Sequence, residues 1–278
     1  MDTSGNSVLT ITADPLWGAP PELIEARHDE IHVWRAFLNI APSWVQSLSQ
    51  VLSTDERERA ERFRFQRDRQ DFIVTRALLR ILVGRYLRRD PDQVQFSYGT
   101  YGKPSLAGEG DQALRFNLSH SQGLALYAIT RGRQIGVDVE CVRENRDTEA
   151  IAQRFFSPQE IAAIESLPEP MRQRAFFSCW TRKEAYLKAR GDGLSGTMDS
   201  FSVSVNPGEP AVLFNNGQND TQESSRWSLA DLDPDSRYVG ALAVEGCHWR
   251  LNCWQLTGNM QDLAAPTQYK LSGGLKRP

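Results

Sequence analysis

Apolar and polar positions alternate from the first third of the chain, and Ile31-His32-Val33-Trp34-Arg35-Ala36-Phe37-Leu38 reads as a strand. Pro42-Ser43 opens a short helix reaching about Leu52, and Ser53 or Thr54 caps a second, with Asp55 and Glu56 in its first turn. From about Arg67 to Leu87 the period lengthens to that of a helix, with an apolar stripe of Phe72, Val74, Ala77, Leu78, Ile81, Leu82 and Tyr86. Val94–Ser97 is a short strand, followed by the glycine-punctuated turn Tyr98-Gly99-Thr100-Tyr101-Gly102-Lys103-Pro104. Leu114–Leu118 and Leu124–Thr130 are apolar strands, separated by a polar loop, Ser119-His120-Ser121-Gln122-Gly123.

After a turn at Arg131-Gly132-Arg133, the strand Ile135-Gly136-Val137-Asp138-Val139-Glu140 begins the second half. Helices are expected at Asp147–Phe156, Pro158–Leu167 and Met171–Arg190, the last closed by Gly191. Strands follow at Phe201–Val205, Ala211–Phe214, Trp227–Ala230, Tyr238–Val244 and Trp249–Gln255. The order strand, helices, strands thus occurs twice, which predicts an α+β fold of two comparable halves. The expected divisions are an N-terminal arm (1–30), an N-terminal subdomain (31–132), a C-terminal subdomain (133–256) and a C-terminal tail (257–278).

Composition narrows the function. The 278 residues carry a net charge of −3, which weighs against a nucleic-acid binder. Charge is nonetheless uneven: arginines crowd residues 57–89, where they form a solvated helix face or reach an anionic ligand. No apolar run approaches the length of a membrane helix, the start lacks a signal-peptide pattern, and the four cysteines form no C-x-x-C. A cytoplasmic protein with reduced thiols and no membrane or nucleic-acid partner is the expectation.

Candidate chemistry centres on Asp138 and Glu140, two apart on one strand and hence on one face, opposite Ile135, Val137 and Val139. Adjacent carboxylates repel, so either a divalent cation compensates them or the strand is a solvated edge. In the last long helix, Glu184 and Lys188 share a face with Trp180. An isolated pair of this kind is ordinarily a surface ion pair, but a face carrying Trp is more often buried, and a buried carboxylate needs a partner. Ser119 and His120 can donate to phosphate, and so can Lys103 on its glycine turn. Three carboxylates with these cations suit a magnesium–polyphosphate site.

These residues carry a resemblance. Gly102-Lys103-Pro104, Phe116-Asn117-Leu118-Ser119-His120-Ser121, Ile135-Gly136-Val137-Asp138-Val139-Glu140, Phe155-Phe156-Ser157-Pro158-Gln159-Glu160 and Trp180-Thr181-Arg182-Lys183-Glu184-Ala185-Tyr186-Leu187-Lys188, in this order, resemble the Sfp-type 4'-phosphopantetheinyl transferases over about residues 53–205. The resemblance implies a pseudo-twofold α+β fold with the active site where the halves meet, acting as a monomer. It implies coenzyme A as co-substrate and Mg²⁺ held by Asp138, Glu140 and Glu184. It also implies that Arg59, Lys103, Ser119, His120 and Lys188 contact coenzyme A. The implied reaction, of holo-[acyl-carrier-protein] synthase type, moves phosphopantetheine to a serine of an acyl or peptidyl carrier protein. In it Glu184, Lys188 and Asp138 are the catalytic groups. The arginines of 57–69 could steer an acidic carrier, while the Phe155-Phe156 pair is more simply core.

Two rivals remain. A metal-dependent nuclease-like phosphodiesterase also uses strand carboxylates and a lysine, but the sequence lacks E-x-K on a strand after the aspartate. A non-catalytic carrier-binding homologue need not keep Asp138, Glu140, Glu184 and Lys188 together.

Overall fold

The computed structural model describes residues 17–22, 24–108, 114–143, 147–191, 198–206, 208–215 and 221–256. Most of the expected arm, to residue 16, and the expected tail from residue 257 lie outside them. The described residues form two compact units, 17–39 with 96–256 and, separately, 40–95.

The smaller unit is helical: α1 (Pro42–Ser49), α2 (Thr54–Glu61) and α3 (Gln66–Leu87). Ser53 caps α2, and Glu56 at the third helical position accepts the Ser53 N–H at 3.1 Å. Glu56 is itself buried and takes Arg80 Nε at 2.5 Å and Arg76 Nε at 3.6 Å. The arginine stretch is therefore not one solvated face. Arg57, Arg59, Arg62, Arg64, Arg67 and Arg69 are exposed, whereas Arg76 and Arg80 are buried ion-pair partners. α3 likewise departs from a single stripe, because every residue from Ile73 to Gly84 is buried.

The larger unit has two main sheets. β1 (Glu30–Phe37), β4 (Leu114–Ser121), β5 (Leu124–Arg131) and β11 (Arg250–Gln255) form the first, in the order β11-β1-β5-β4. β6 (Ile135–Cys141), β9 (Trp227–Leu232) and β10 (Tyr238–Glu245) form the second, in the order β6-β10-β9. β11 runs parallel to β1, so the last strand joins the sheet of N-terminal strands. Two short pairs, β2 (Phe96–Tyr98) with β3 (Pro104–Leu106) and β7 (Phe201–Val203) with β8 (Leu213–Asn215), lie beside these. The helices are α4 (Thr148–Phe155), α5 (Pro158–Ser166), α6 (Glu169–Arg190) and the short α7 (Thr221–Ser225). The mixture is α+β, as the order of elements predicts.

Side-chain alternation builds two cores. Ile31, Val33, Leu124, Leu126 and Ala128 of the first sheet pack with Ile135, Val137, Val139, Leu242 and Val244 of the second. The other face of the second sheet, through Leu229, Val239, Ala241 and Ala243, packs on α6 residues including Ala185 and Ala189. Odd positions of β6 thus enter the inter-sheet core, and Gly136, Asp138 and Glu140 turn to the face that α6 crosses. Gly136 makes that crossing possible: a Cβ there would lie 2.0 Å from the Ala185 carbonyl oxygen and 2.4 Å from Ala189 N.

One expected loop is a strand. Ser119, His120 and Ser121 complete β4, and only Gln122-Gly123 turns the hairpin, both with positive φ (45° and 91°).

Candidate active site

β4 and β6 are the edge strands of their sheets, and side chains stitch one to the other. Asn117, Ser119 and Ser121 lie on one face of β4. Asn117 Oδ1 accepts the Val137 N–H at 2.9 Å, and Ser119 Oγ donates to Asp138 Oδ1 at 2.7 Å. Ser121 Oγ donates to Glu140 Oε2 at 2.7 Å and accepts the Cys141 N–H at 3.3 Å. These rungs take the place of a backbone ladder and fix both acidic side chains. Asn117 and Ser121 were not among the expected site residues, although polar residues at every second position of 117–121 are the signal for such a face.

α6 supplies the rest. Lys188 Nζ donates to Asp138 Oδ1 at 2.6 Å and to Ser119 Oγ at 3.0 Å. Asp138 is 3% exposed and Glu184 9%, so both carboxylates are shielded from solvent, while the Lys188 side chain is 29% exposed. Burial, reinforced by the Asp138 and Glu140 charges and opposed by Lys188, pushes the Glu184 carboxyl up to about 7. Burial and then the Asp138 charge raise Glu140, against its Ser121 hydrogen bond. Among the described residues, Asp138 Oδ2 and Glu184 Oε1 are buried without a hydrogen-bond partner. Carboxylate oxygens in that state are costly unless a cation or a proton compensates them.

α6 itself is pinned from behind. Lys183, fully buried, donates to both oxygens of Glu160 (2.8 and 2.7 Å) and to the Phe201 carbonyl at 2.7 Å. Glu160 also accepts the Ser157 and Val203 N–H groups, each at 2.8 Å. Trp180 packs against Phe155, Phe156 and Phe176, so the Phe pair belongs to the apolar packing of this helix.

The structure thus brings together Asp138, Ser119, Lys188 and, through their mutual charge effects, Glu184 and Glu140. His120 is not among them. His120 follows Ser119 on a strand, so it projects from the opposite face of β4 and is exposed. Arg59 stands on α2 in the other compact unit, beside the Phe72 ring at 5.4 Å. Lys103 Nζ donates to three backbone carbonyls, Lys188 at 2.5 Å, Ile135 at 3.2 Å and Ala189 at 3.3 Å. Burial, and then the neighbouring Arg115 charge, lowers its ammonium to about 8.

Known proteins share this arrangement of sequence. Residues 134–243 match the 4'-phosphopantetheinyl transferase superfamily, and residues 38–131 match the 4'-phosphopantetheinyl transferase N-terminal family. The 4'-phosphopantetheinyl transferase HetI of Nostoc sp. is 42% identical over 86% of this chain and 97% of its own. A putative 4'-phosphopantetheinyl transferase of Synechocystis sp. is 37% identical over 69% of this chain and 79% of its own. The 4'-phosphopantetheinyl transferase Sfp of Bacillus subtilis is 32% identical over 55% of this chain and 66% of its own. The chain belongs to the 4'-phosphopantetheinyl transferase superfamily.

Proposed function

We propose that the chain transfers the 4'-phosphopantetheine group of coenzyme A to a serine of an acyl or peptidyl carrier protein, the holo-[acyl-carrier-protein] synthase reaction. The observation that carries this is the Ser119–Asp138–Lys188 cluster beside the raised Glu184, built from the strand and helix that bear the family motifs.

The unpartnered Asp138 Oδ2 and Glu184 Oε1 fit an oxygen-liganded divalent cation. Among the described residues no three Asp, Glu, His or Cys side chains form a ready cage. Mg²⁺ takes few carboxylates and fills its shell with phosphate oxygens and water. Asp138 and Glu184 would hold it, with Glu140 the third carboxylate that the family resemblance implies, and bound there it would neutralise charge on the pyrophosphate of coenzyme A.

The chain's own groups supply the remaining chemistry. The carrier serine oxygen bonds to the β-phosphorus of coenzyme A while the bond to the bridging oxygen breaks. Adenosine 3',5'-bisphosphate leaves with that electron pair. Glu184 takes the serine proton directly or through a water. Lys188 stabilises the charge that grows on the leaving phosphate. Ser119 holds Asp138 and Lys188 in place and is not the nucleophile, which the carrier brings. The exposed arginines of α2 and of the α2–α3 connection favour an acidic carrier by charge. The protein works as a cytoplasmic monomer in this reading.

The test is mass spectrometry of apo carrier proteins incubated with coenzyme A, Mg²⁺ and the full chain. A gain of one phosphopantetheine is expected. No gain on fatty-acid, polyketide or peptide carriers alike would refute the proposal.

A further inference from the structure

We infer that Lys103 is a positioning residue, not a coenzyme A ligand: its ammonium clamps the last turn of α6 to the first residue of β6. The inference rests on the transferase reading for its functional meaning.

A helix leaves its last carbonyls without intrahelical partners, and these carry the negative end of its dipole. In α6, the Gly191 N–H takes the Leu187 carbonyl, which leaves Lys188 and Ala189 to find other donors among the described residues. Lys103 provides them, at 2.5 and 3.3 Å. Its third bond, 3.2 Å long, goes to the carbonyl of Ile135, where β6 begins. An ammonium has three N–H donors, and all three are used on backbone. None is left for a phosphate.

What the clamp joins matters. α6 carries Glu184 and Lys188, and β6 carries Asp138 and Glu140. The 2.6 Å bond from Lys188 to Asp138 spans these two elements, and Lys103 fixes their separation at the backbone carbonyl of Lys188 itself and, three residues before Asp138, at that of Ile135. The lysine is delivered from a rigid turn. The Gly99 N–H bonds the Lys103 carbonyl at 3.0 Å, the Gly102 N–H bonds the Gly99 carbonyl at 2.9 Å, and Gly102 has a φ of 77°. A flexible surface lysine waiting for a ligand needs no such delivery.

The experiment compares Lys103→Met and Lys103→Gln with the unchanged chain, using a carrier protein and either coenzyme A or 3'-dephospho-coenzyme A. A displaced catalytic pair lowers kcat, by about tenfold or more, with little change in KM. The expected result is that loss with KM for both co-substrates within about twofold of the unchanged chain. A coenzyme A KM raised about tenfold, with that of the 3'-dephospho form unaltered, would make Lys103 a phosphate ligand and overturn the inference. An unaltered kcat would overturn it too. Lys103→Gln keeps two donors, so it serves if the Met variant does not fold. Amide hydrogen exchange is independent of turnover: the Lys188–Gly191 amides should exchange about tenfold faster in the variants. Unchanged exchange there contradicts the clamp, whereas an unchanged chain that transfers nothing overturns only the transferase reading.

Discussion

At the scale of single residues, Glu184 sets the sharpest expectations. Glu184→Gln and Asp138→Asn should each lower transfer to a carrier by at least about a hundredfold, read from initial rates. The metal-free chain offers a second measurement. A carboxyl raised from 4.5 to about 7 binds its proton more tightly folded than unfolded, so its contribution to stability is lost as pH rises through that window. One pKa unit is about 1.4 kcal/mol, so the cost at pH 8 is at most roughly 3 kcal/mol. In EDTA, Glu184→Gln should therefore melt above the unchanged chain at pH 8 and level with it near pH 4.5, by calorimetry. Added Mg²⁺ should raise the melting temperature of the unchanged chain at pH 8 and leave the variant nearly unmoved. Much of this site was legible: Asp138 and Glu140 follow from strand alternation, and Glu184 with Lys188 from the four-residue spacing on a Trp-bearing helix. What was not legible is orientation. Lys103 and His120 have the chemistry of phosphate ligands, but only the folded backbone shows that the first faces three carbonyls and the second the far face of β4.

At the scale of elements, the question is how a helix is held against a strand closely enough for their side chains to share one site. The contact of α6 with β6 is so close that position 136 has no room for a methyl group, with the Ala185 carbonyl 2.0 Å from where one would sit. Gly136→Ala must push α6 outward. It should destabilise the chain by about 3 kcal/mol or more in urea unfolding and part Lys188 from Asp138. Wild-type stability in that variant would rule out the packing described here. Asn117→Ala removes the acceptor of a buried N–H and should cost about 1–3 kcal/mol in the same assay. Caps and periodicity located α2, α3 and α6 well, because those signals are local. The end of β4 has the sequence of a loop for an equally physical reason. Its polar face does not meet solvent but the acidic edge of another sheet, so Ser119 and Ser121 look like loop residues in a sequence and serve as rungs in the structure.

At the scale of the whole chain, strand partners are what local pattern cannot give. Sequence position puts Trp249–Gln255 in the C-terminal half, and in the fold β11 lies parallel to β1, pairing Glu30 with Arg250 and Arg35 with Gln255 across more than two hundred residues. β1 is thereby an interior strand, flanked by β11 and β5, and its Ile31, Val33 and Trp34 are fully buried. A chain ending at Trp249 would leave one side of β1 with open N–H and C=O groups beside the apolar Ile31, Val33 and Trp34. Such an edge pairs with other copies. That truncated chain should accumulate as aggregate, measured as the soluble fraction after expression, although every residue of the candidate site is still present. The site draws its strand residues from β4 and β6, and β4 is held through β5 and β1 by β11. Soluble, active protein from that truncation would mean that the sheet tolerates an apolar edge and that the site needs only the residues from β4 to α6.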